Sequence, residues 1–155
     1  MLQSINISVC PIGLLPSSVA AACSALTHEG SEMRSAFLHP SPVGRVVAVG
    51  RRGAASGPVV AWASVGYWRG YQEVQAFTAE PERRRGWMRT LVAAAVVAGA
   101  IEKGRRVAAF DRSCAEALSS HGYLVDVFER SGDGWRPVSE THGPLPACSG
   151  DGGAE

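Results

Sequence analysis

Residues 73–101 constrain the fold of this chain more than any other stretch. Residues 73–79 form a strand-length β-rich run, and residues 91–101 are apolar at helical spacing. Between them lies an arginine-glycine turn, Pro81-Glu82-Arg83-Arg84-Arg85-Gly86-Trp87-Met88-Arg89. A short apolar run, residues 107–110, follows and suits the middle of a sheet. Strand, helix and strand in this order imply a right-handed crossover between parallel strands. The turn is suited to an anion. The first amides of a helix have no intrahelical partner, and the summed peptide dipoles leave roughly half a positive charge there. A phosphate or pyrophosphate satisfies both. Gly86 lets the backbone approach closely because it has no Cβ, and the arginines around it add mobile positive charge.

The remaining elements follow from periodicity and caps. Residues 2–9 alternate and read as a first strand. Pro16-Ser17-Ser18 opens a helix with a serine N-cap, which carries Val19, Ala22, Cys23 and Leu26 on one face and ends at Gly30. Glu32–Leu38 reads as a second short helix, stopped by Pro40 and Pro42. Residues 45–49 and 58–67 are β-rich and make a hairpin across the flexible segment 53–57. Residues 68–71 turn the chain into the strand at 73. Residues 87–103 form the strongest helix, with Met88, Leu91, Val92, Ala95 and Val96 on a broad apolar face and Gly104 as its C′ residue. Ser113-x-x-Glu116 is a capping box for a last helix that stops at Gly122. Residues 123–129 and 135–138 read as closing strands, and Pro137 puts the second at an edge. The order is β, α, α, β, β, β, α, β, α, β, β. It implies an α/β fold with a mixed, mostly antiparallel central sheet and helices on both faces. One domain is expected over residues 1–138, with a disordered tail, 139–155, rich in Gly, Pro and small polar residues.

Composition excludes several classes. The net charge is +1 over 155 residues, which argues against broad electrostatic binding to nucleic acid. No run reaches the ~18 apolar residues of a membrane span. The uncharged start, residues 1–23, lacks a basic region and is interrupted by Pro11, Gly13 and Pro16, so it does not read as an export signal. A cytoplasmic chain is expected. The cysteines at 10, 23, 114 and 148 form no C-x-x-C pair and have no histidine cluster beside them, so no metal site is expected. They read as free thiols of a reducing compartment.

With these elements in this order, the chain resembles the GCN5-related N-acetyltransferase (GNAT) family. That family's pyrophosphate signature runs Q/R-x-x-G-x-G/A. Arg83-Arg84-Arg85-Gly86-Trp87-Met88 matches its arginine and first glycine, and Met88 departs from its last position. Residues 111–123 look like the family's fourth-helix region, with Gly122-Tyr123 in place of Gly-Phe and Asp111 where an Asn is common. The resemblance spans about residues 45–135. It implies acetyl-CoA as acyl donor, an amine as acceptor, and a fourth and fifth strand that part to admit the pantetheine arm. It also implies that the amides from Arg84 through Arg85, Gly86 and Trp87 to Met88 cradle the pyrophosphate. Arg83, Arg84 and Arg89 would pair with phosphates, Phe77, Thr78 and Ala79 would lie along the arm, and Asp111 would belong to the opposite wall. Glu73 stands where members often place the carboxylate base, with Glu80 behind it. The usual acid is a tyrosine at the position occupied here by Leu118. His121 is the nearest candidate in its place.

Other readings of the same residues stay open. Arginine runs are commonly solvated surface, Glu73 could be an exposed strand residue, and Cys114 reads as buried packing. A chain of the same fold that has lost the chemistry, and serves as a binding or structural module (a viral one included), fits Met88 and Leu118. An unrelated α/β domain could hold a nucleotide or another phosphate in the same turn, since fold does not choose function. Either a monomer or a homodimer is compatible with the pattern.

Overall fold

The structure, a computed structural model, describes residues 4–41 and 44–142, with residues 139–142 as backbone only. Its elements are β1 (Ile5–Pro11), α1 (Ser17–Leu26), α2 (Glu32–Leu38), β2 (Val46–Arg52), β3 (Val59–Trp68), β4 (Tyr71–Thr78), α3 (Trp87–Val97), β5 (Val107–Ala109), α4 (Arg112–Ser120), β6 (Val125–Ser131) and β7 (Gly134–His142). The strands stand in one sheet in sequence order. Pairing is parallel between β4 and β5 and between β5 and β6, and antiparallel elsewhere. The fold is therefore the expected mixed, mostly antiparallel α/β sheet, with the expected order of elements.

Strand side chains alternate between two faces, and each face has its own helices. On one face Ala48, Ala61 and Ala63 receive Trp87 and Leu91 of α3. Farther along, Val74, Val107, Ala109 and Val125 meet Val92 and Ala95 of α3 and Cys114 and Leu118 of α4. Small residues on β2 and β3 are what let α3 come close. A Cβ on Gly50 would lie 2.6 Å from the Trp87 ring. On the other face Val47, Val49 and Trp62 pack against Val19 and Cys23 of α1 and Met33 and Phe37 of α2. The Trp62 indole donates to Thr27 Oγ1 at 2.8 Å, and Thr27 in turn donates to the Cys23 carbonyl at 2.7 Å. That pair leaves no buried polar atom of the Trp62–Thr27 contact unsatisfied.

Several boundaries differ from the sequence reading, each for a local reason. β3 is shifted by one residue and β4 begins two residues earlier than expected. Arg69 and Gly70, with φ of 51° and 82°, join them in a two-residue turn of the kind that matches strand twist. The first helix is preceded by Pro16 with no side-chain cap, not by a capping serine. α2 has the expected bounds, and Ser31 caps it by accepting from the Met33 amide. α3 stops at Val97, well before Lys103. Gly99 (φ +75°) donates to the Val96 carbonyl at 3.0 Å and Ala100 to the Ala95 carbonyl at 2.9 Å. This is a Schellman ending, so Gly99 and not Gly104 closes the helix. α4 is capped by Asp111 and not by Ser113: Asp111 Oδ1 accepts from the Cys114 amide at 2.8 Å. β7 is an edge strand, as Pro137 suggested, but it runs on to His142, into the segment expected to be disordered. The rest of that expected tail, residues 143–155, lies outside the described residues, as do residues 1–3.

Candidate functional site

β4 organises the candidate site because its two ends meet different structures. Its ladder with β5 pairs Gln72 with Val107, Glu73 with Ala108 and Val74 with Ala109, and stops there. β4 itself continues to Thr78. The strands therefore fork after Val74 and Ala109. The Gln72 amide bonds the Arg106 carbonyl on the β5 side, and the Ala79 amide bonds the Val60 carbonyl on the β3 side. Alternation then turns the amide and carbonyl of Ala76 towards the fork, where they have no β5 partner. Thr78 points the same way, and its carbonyl accepts from Arg83 Nε at 3.0 Å.

Beyond the fork the chain enters the arginine-glycine turn. Arg84 (φ 66°) and Gly86 (φ 83°) adopt left-handed conformations, separated by Arg85. Backbone of this kind aims successive amides into a concavity that suits anions. Gly86 is the N-cap of α3, and no side chain caps the helix. The arginines divide into two groups. Arg85 lies 3.7 Å and Arg52 3.3 Å from the carboxylate of buried Glu82, and the Trp87 indole donates to the same carboxylate at 3.3 Å. Arg83 lies over the Phe77 ring. Arg84 and Arg89 are exposed and have no ion-pair partner among the described residues. Glu82 was not singled out in the sequence. It neutralises part of the turn and ties it to β2 and to the helix start. Trp87 puts its indole under the sheet beside Gly50, while its amide stays in the first turn of α3.

Glu73 lies on the sheet face that α1 and α2 share. It is 2% exposed, so the exposed-strand reading does not hold. Its carboxylate forms an ion pair with Arg45 and accepts from Gln75 Nε2 at 3.3 and 3.2 Å. Arg45 also donates to Ser64 Oγ at 3.2 Å. Arg45 reaches Glu73 across Gly66, the residue paired with Glu73 on β3. A Cβ there would lie 2.7 Å from the guanidinium nitrogen. Sequence reasoning missed Arg45, Ser64 and Gln75. The one available signal was a glycine inside a strand, which often marks a close approach.

On that same face no helix among the described residues covers β5 to β7. Aromatic rings do so instead. Trp68 meets Phe128 at 4.9 Å and Phe110 at 5.3 Å between centroids, and Phe110 meets Trp135 at 4.8 Å. Arg69 stacks on Trp68 and donates to the Trp135 carbonyl at 3.3 Å, which joins the β3–β4 turn to the edge strand. Tyr71 donates to Asp126 at 2.8 Å, and Arg106 grips both oxygens of that carboxylate. The hydrogen bond to Asp126 pushes the Tyr71 hydroxyl up from its ordinary pKa.

The other expected residues are dispersed. Asp111 sits two residues past the fork and spends one oxygen on the α4 cap. His121 is the C-cap of α4, with its carbonyl accepting from Lys103 Nζ. It therefore lies about one helix length, roughly 14 Å, from Asp111, on the face opposite Glu73. The structure does not bring Glu73 and His121 together. Leu118 is wholly buried in the α3–α4 core, and the Tyr123 hydroxyl is occupied by the Ile101 carbonyl at 2.8 Å. Cys114 lies against the Val74 carbonyl at the fork, and burial pushes its thiol well above the ordinary range. Glu80 is exposed at the start of the turn. Among the described residues no cluster of His, Cys, Asp and Glu is placed to hold a metal, and no helix is long and apolar enough to cross a membrane.

No family model matches the chain, and no curated protein matches it. Among solved structures it is similar to the aminoglycoside N-acetyltransferase AAC(6′)-Iy in complex with CoA. The identity is 16%, the TM-score is 0.48, and the alignment covers 78% of this chain and 85% of that one.

Proposed function

We propose that this chain binds acetyl-CoA and transfers its acetyl group to an amine. The observation that carries the reading is the sequence of features along β4. A fork exposes the edge at Ala76, and an uncapped helix start with two left-handed residues follows directly. A ligand with an amide-bearing arm and a pyrophosphate needs those two features in that order. The arm would pair with the β4 edge as an added strand does, flanked by Phe77, Thr78 and Ala79. The pyrophosphate would sit on the amides from Arg84 to Met88, with Arg84 and Arg89 as its mobile counter-charges. Arg83 would release the Thr78 carbonyl to the incoming arm.

In the transfer the amine nitrogen bonds to the acyl carbon and the carbon–sulfur bond breaks. The amine loses a proton and the departing sulfur gains one. Glu73 is the proposed proton acceptor, working through water, with Arg45 and Gln75 fixing its orientation. Such a base contributes typically 10²–10⁴-fold. His121 is too far along α4 for the return proton, which on this reading comes from solvent. A cytoplasmic chain acting as a monomer or homodimer accords with the reading.

A second reading has a specific observation behind it. Leu118 fills the position of the usual acid, and Glu73 is already paired. The chain would then bind the coenzyme without turning it over. The test is a thermal-shift titration with CoA followed by a thiol-release assay with acetyl-CoA and a panel of amines. A rise in melting temperature with thiol release that falls at least a hundredfold in Glu73→Gln supports transfer. A rise without release supports binding alone. No shift with CoA at millimolar concentration removes both.

A further inference from the structure

The aromatic layer borders a cavity of about 440 Å³ whose wall begins at Phe110, the residue immediately after the fork. That volume falls in the range of small-molecule pockets. Phe110, Phe128 and Trp135 give it flat apolar walls, and Asp111 and Glu129 stand against Arg112 and Arg130 in its lining. Two acidic and two basic side chains leave no net negative field to collect a polycation. Glu129 is further neutralised by Arg136 at 2.9 Å, and Arg130 lies over the Trp135 ring. Asp111 is different. It gives only Oδ1 to the Cys114 amide, and it is exposed beside the fork. The cavity therefore has aromatic walls that begin at the fork with Phe110 and one carboxylate on the next residue.

We propose that this pocket takes a monoamine joined to a flat aromatic body, with the ring against Phe110, Phe128 and Trp135 and the nitrogen on Asp111 beside the fork. Ring faces and edges prefer such offset and edge-on partners. The cation is also attracted to ring faces before it loses its proton. This rests on the acyl-transfer reading and assigns its acceptor class. Polycationic amines are excluded by the balanced charge of the lining. Asp111 stands two residues past the fork, so the nitrogen it holds is close to where the acyl carbon of a bound thioester would stand.

The test separates the two levels. 2-Phenylethylamine is titrated into the isotope-labelled protein without coenzyme, following the Trp135 indole N–H resonance by NMR. Spermidine and 2-phenylethanol are titrated in parallel. The expected result is a saturable shift with 2-phenylethylamine, weakened at least fivefold in Phe110→Leu, a change that conserves apolar character. Asp111→Asn, which keeps an N-cap residue, should weaken the amine several-fold and leave 2-phenylethanol unaffected. With acetyl-CoA, kcat/KM for 2-phenylethylamine should exceed that for spermidine at least tenfold. A Trp135 resonance that does not move with 2-phenylethylamine, or a preference for spermidine, overturns the acceptor assignment even if CoA binds. A shifted resonance in a protein that fails to bind CoA keeps the pocket and removes the transfer reading.

Discussion

The two arms of the candidate site are built in different ways. The proposed phosphate arm, residues 83–89, is nearly contiguous: its left-handed turn, its helix start and its arginines are neighbours in the chain. The carboxylate arm is assembled. Glu73 on β4 meets Arg45 from the approach to β2, which Ser64 of β3 also holds, and Gln75 from its own strand, and it shares a face with Phe110 at the end of β5 and Phe128 of β6. A contiguous site can be built from local conformation alone, whereas an assembled site exists only when the sheet is complete. The phosphate arm still depends on β2, since Trp87 is seated against Gly50 and Glu82 is paired with Arg52.

The largest effect is expected where the assembled arm is broken. Arg45→Leu would leave Glu73 buried and uncompensated, and should cost about 3–5 kcal/mol in urea unfolding. Replacing both residues by leucine should recover most of that loss. If the single change costs less than about 1 kcal/mol, the pair is not what holds this face together. Next comes Gly50→Val, which drives a side chain into the Trp87 ring. Overpacking of this sort costs about 1–3 kcal/mol, and it should also weaken CoA by tilting the start of α3. Unchanged CoA affinity in a destabilised variant would show that the turn keeps its own aim.

Gly86→Ala sharpens the comparison from the other side. No atom lies within 4 Å of the added Cβ, so its cost is conformational, about 1 kcal/mol for a left-handed residue. CoA affinity should fall at least tenfold while the rest of the sheet is unaffected. Comparable stability loss and no loss of affinity would mean that the left-handed turn serves the fold and not the ligand. The effect that vanishes at neutral pH comes last. Burial pushes the Cys23 thiol from about 9 up to about 12. The folded chain holds that proton more tightly than the unfolded chain. The stabilisation is complete below about pH 9 and drains away as pH rises towards about 12, by roughly a kcal/mol per pH unit. Cys23→Ala should flatten the alkaline limb of a stability–pH curve; an equally steep limb in the variant would place the titration elsewhere.

Legibility in the sequence follows the same division. The order of elements, the parallel crossover, the bounds of α2 and the edge position of Pro137 depend on periodicity and local sterics, and they could be read directly. Helix ends were less legible because two cap chemistries competed. Gly99 closes α3 before Gly104 is reached, and Asp111 caps α4 ahead of Ser113. The partners of Glu73 gave almost no local signal. Only Gly66, a strand glycine, hinted that something large crosses the sheet there. His121 looked adjacent to the chemistry because it is close in sequence to the expected acid position. Its place at the far end of α4 comes from the direction of that helix, which no local pattern reports.

The chain alone determined an arginine-glycine turn at the head of an amphipathic helix, because backbone sterics and dipoles act between neighbouring residues. Tertiary structure decided which carboxylate is buried, which guanidinium it faces, and which rings wall the cavity beside the fork. Burial and ion pairing act between surfaces, and here those surfaces are brought together only by the register of the strands.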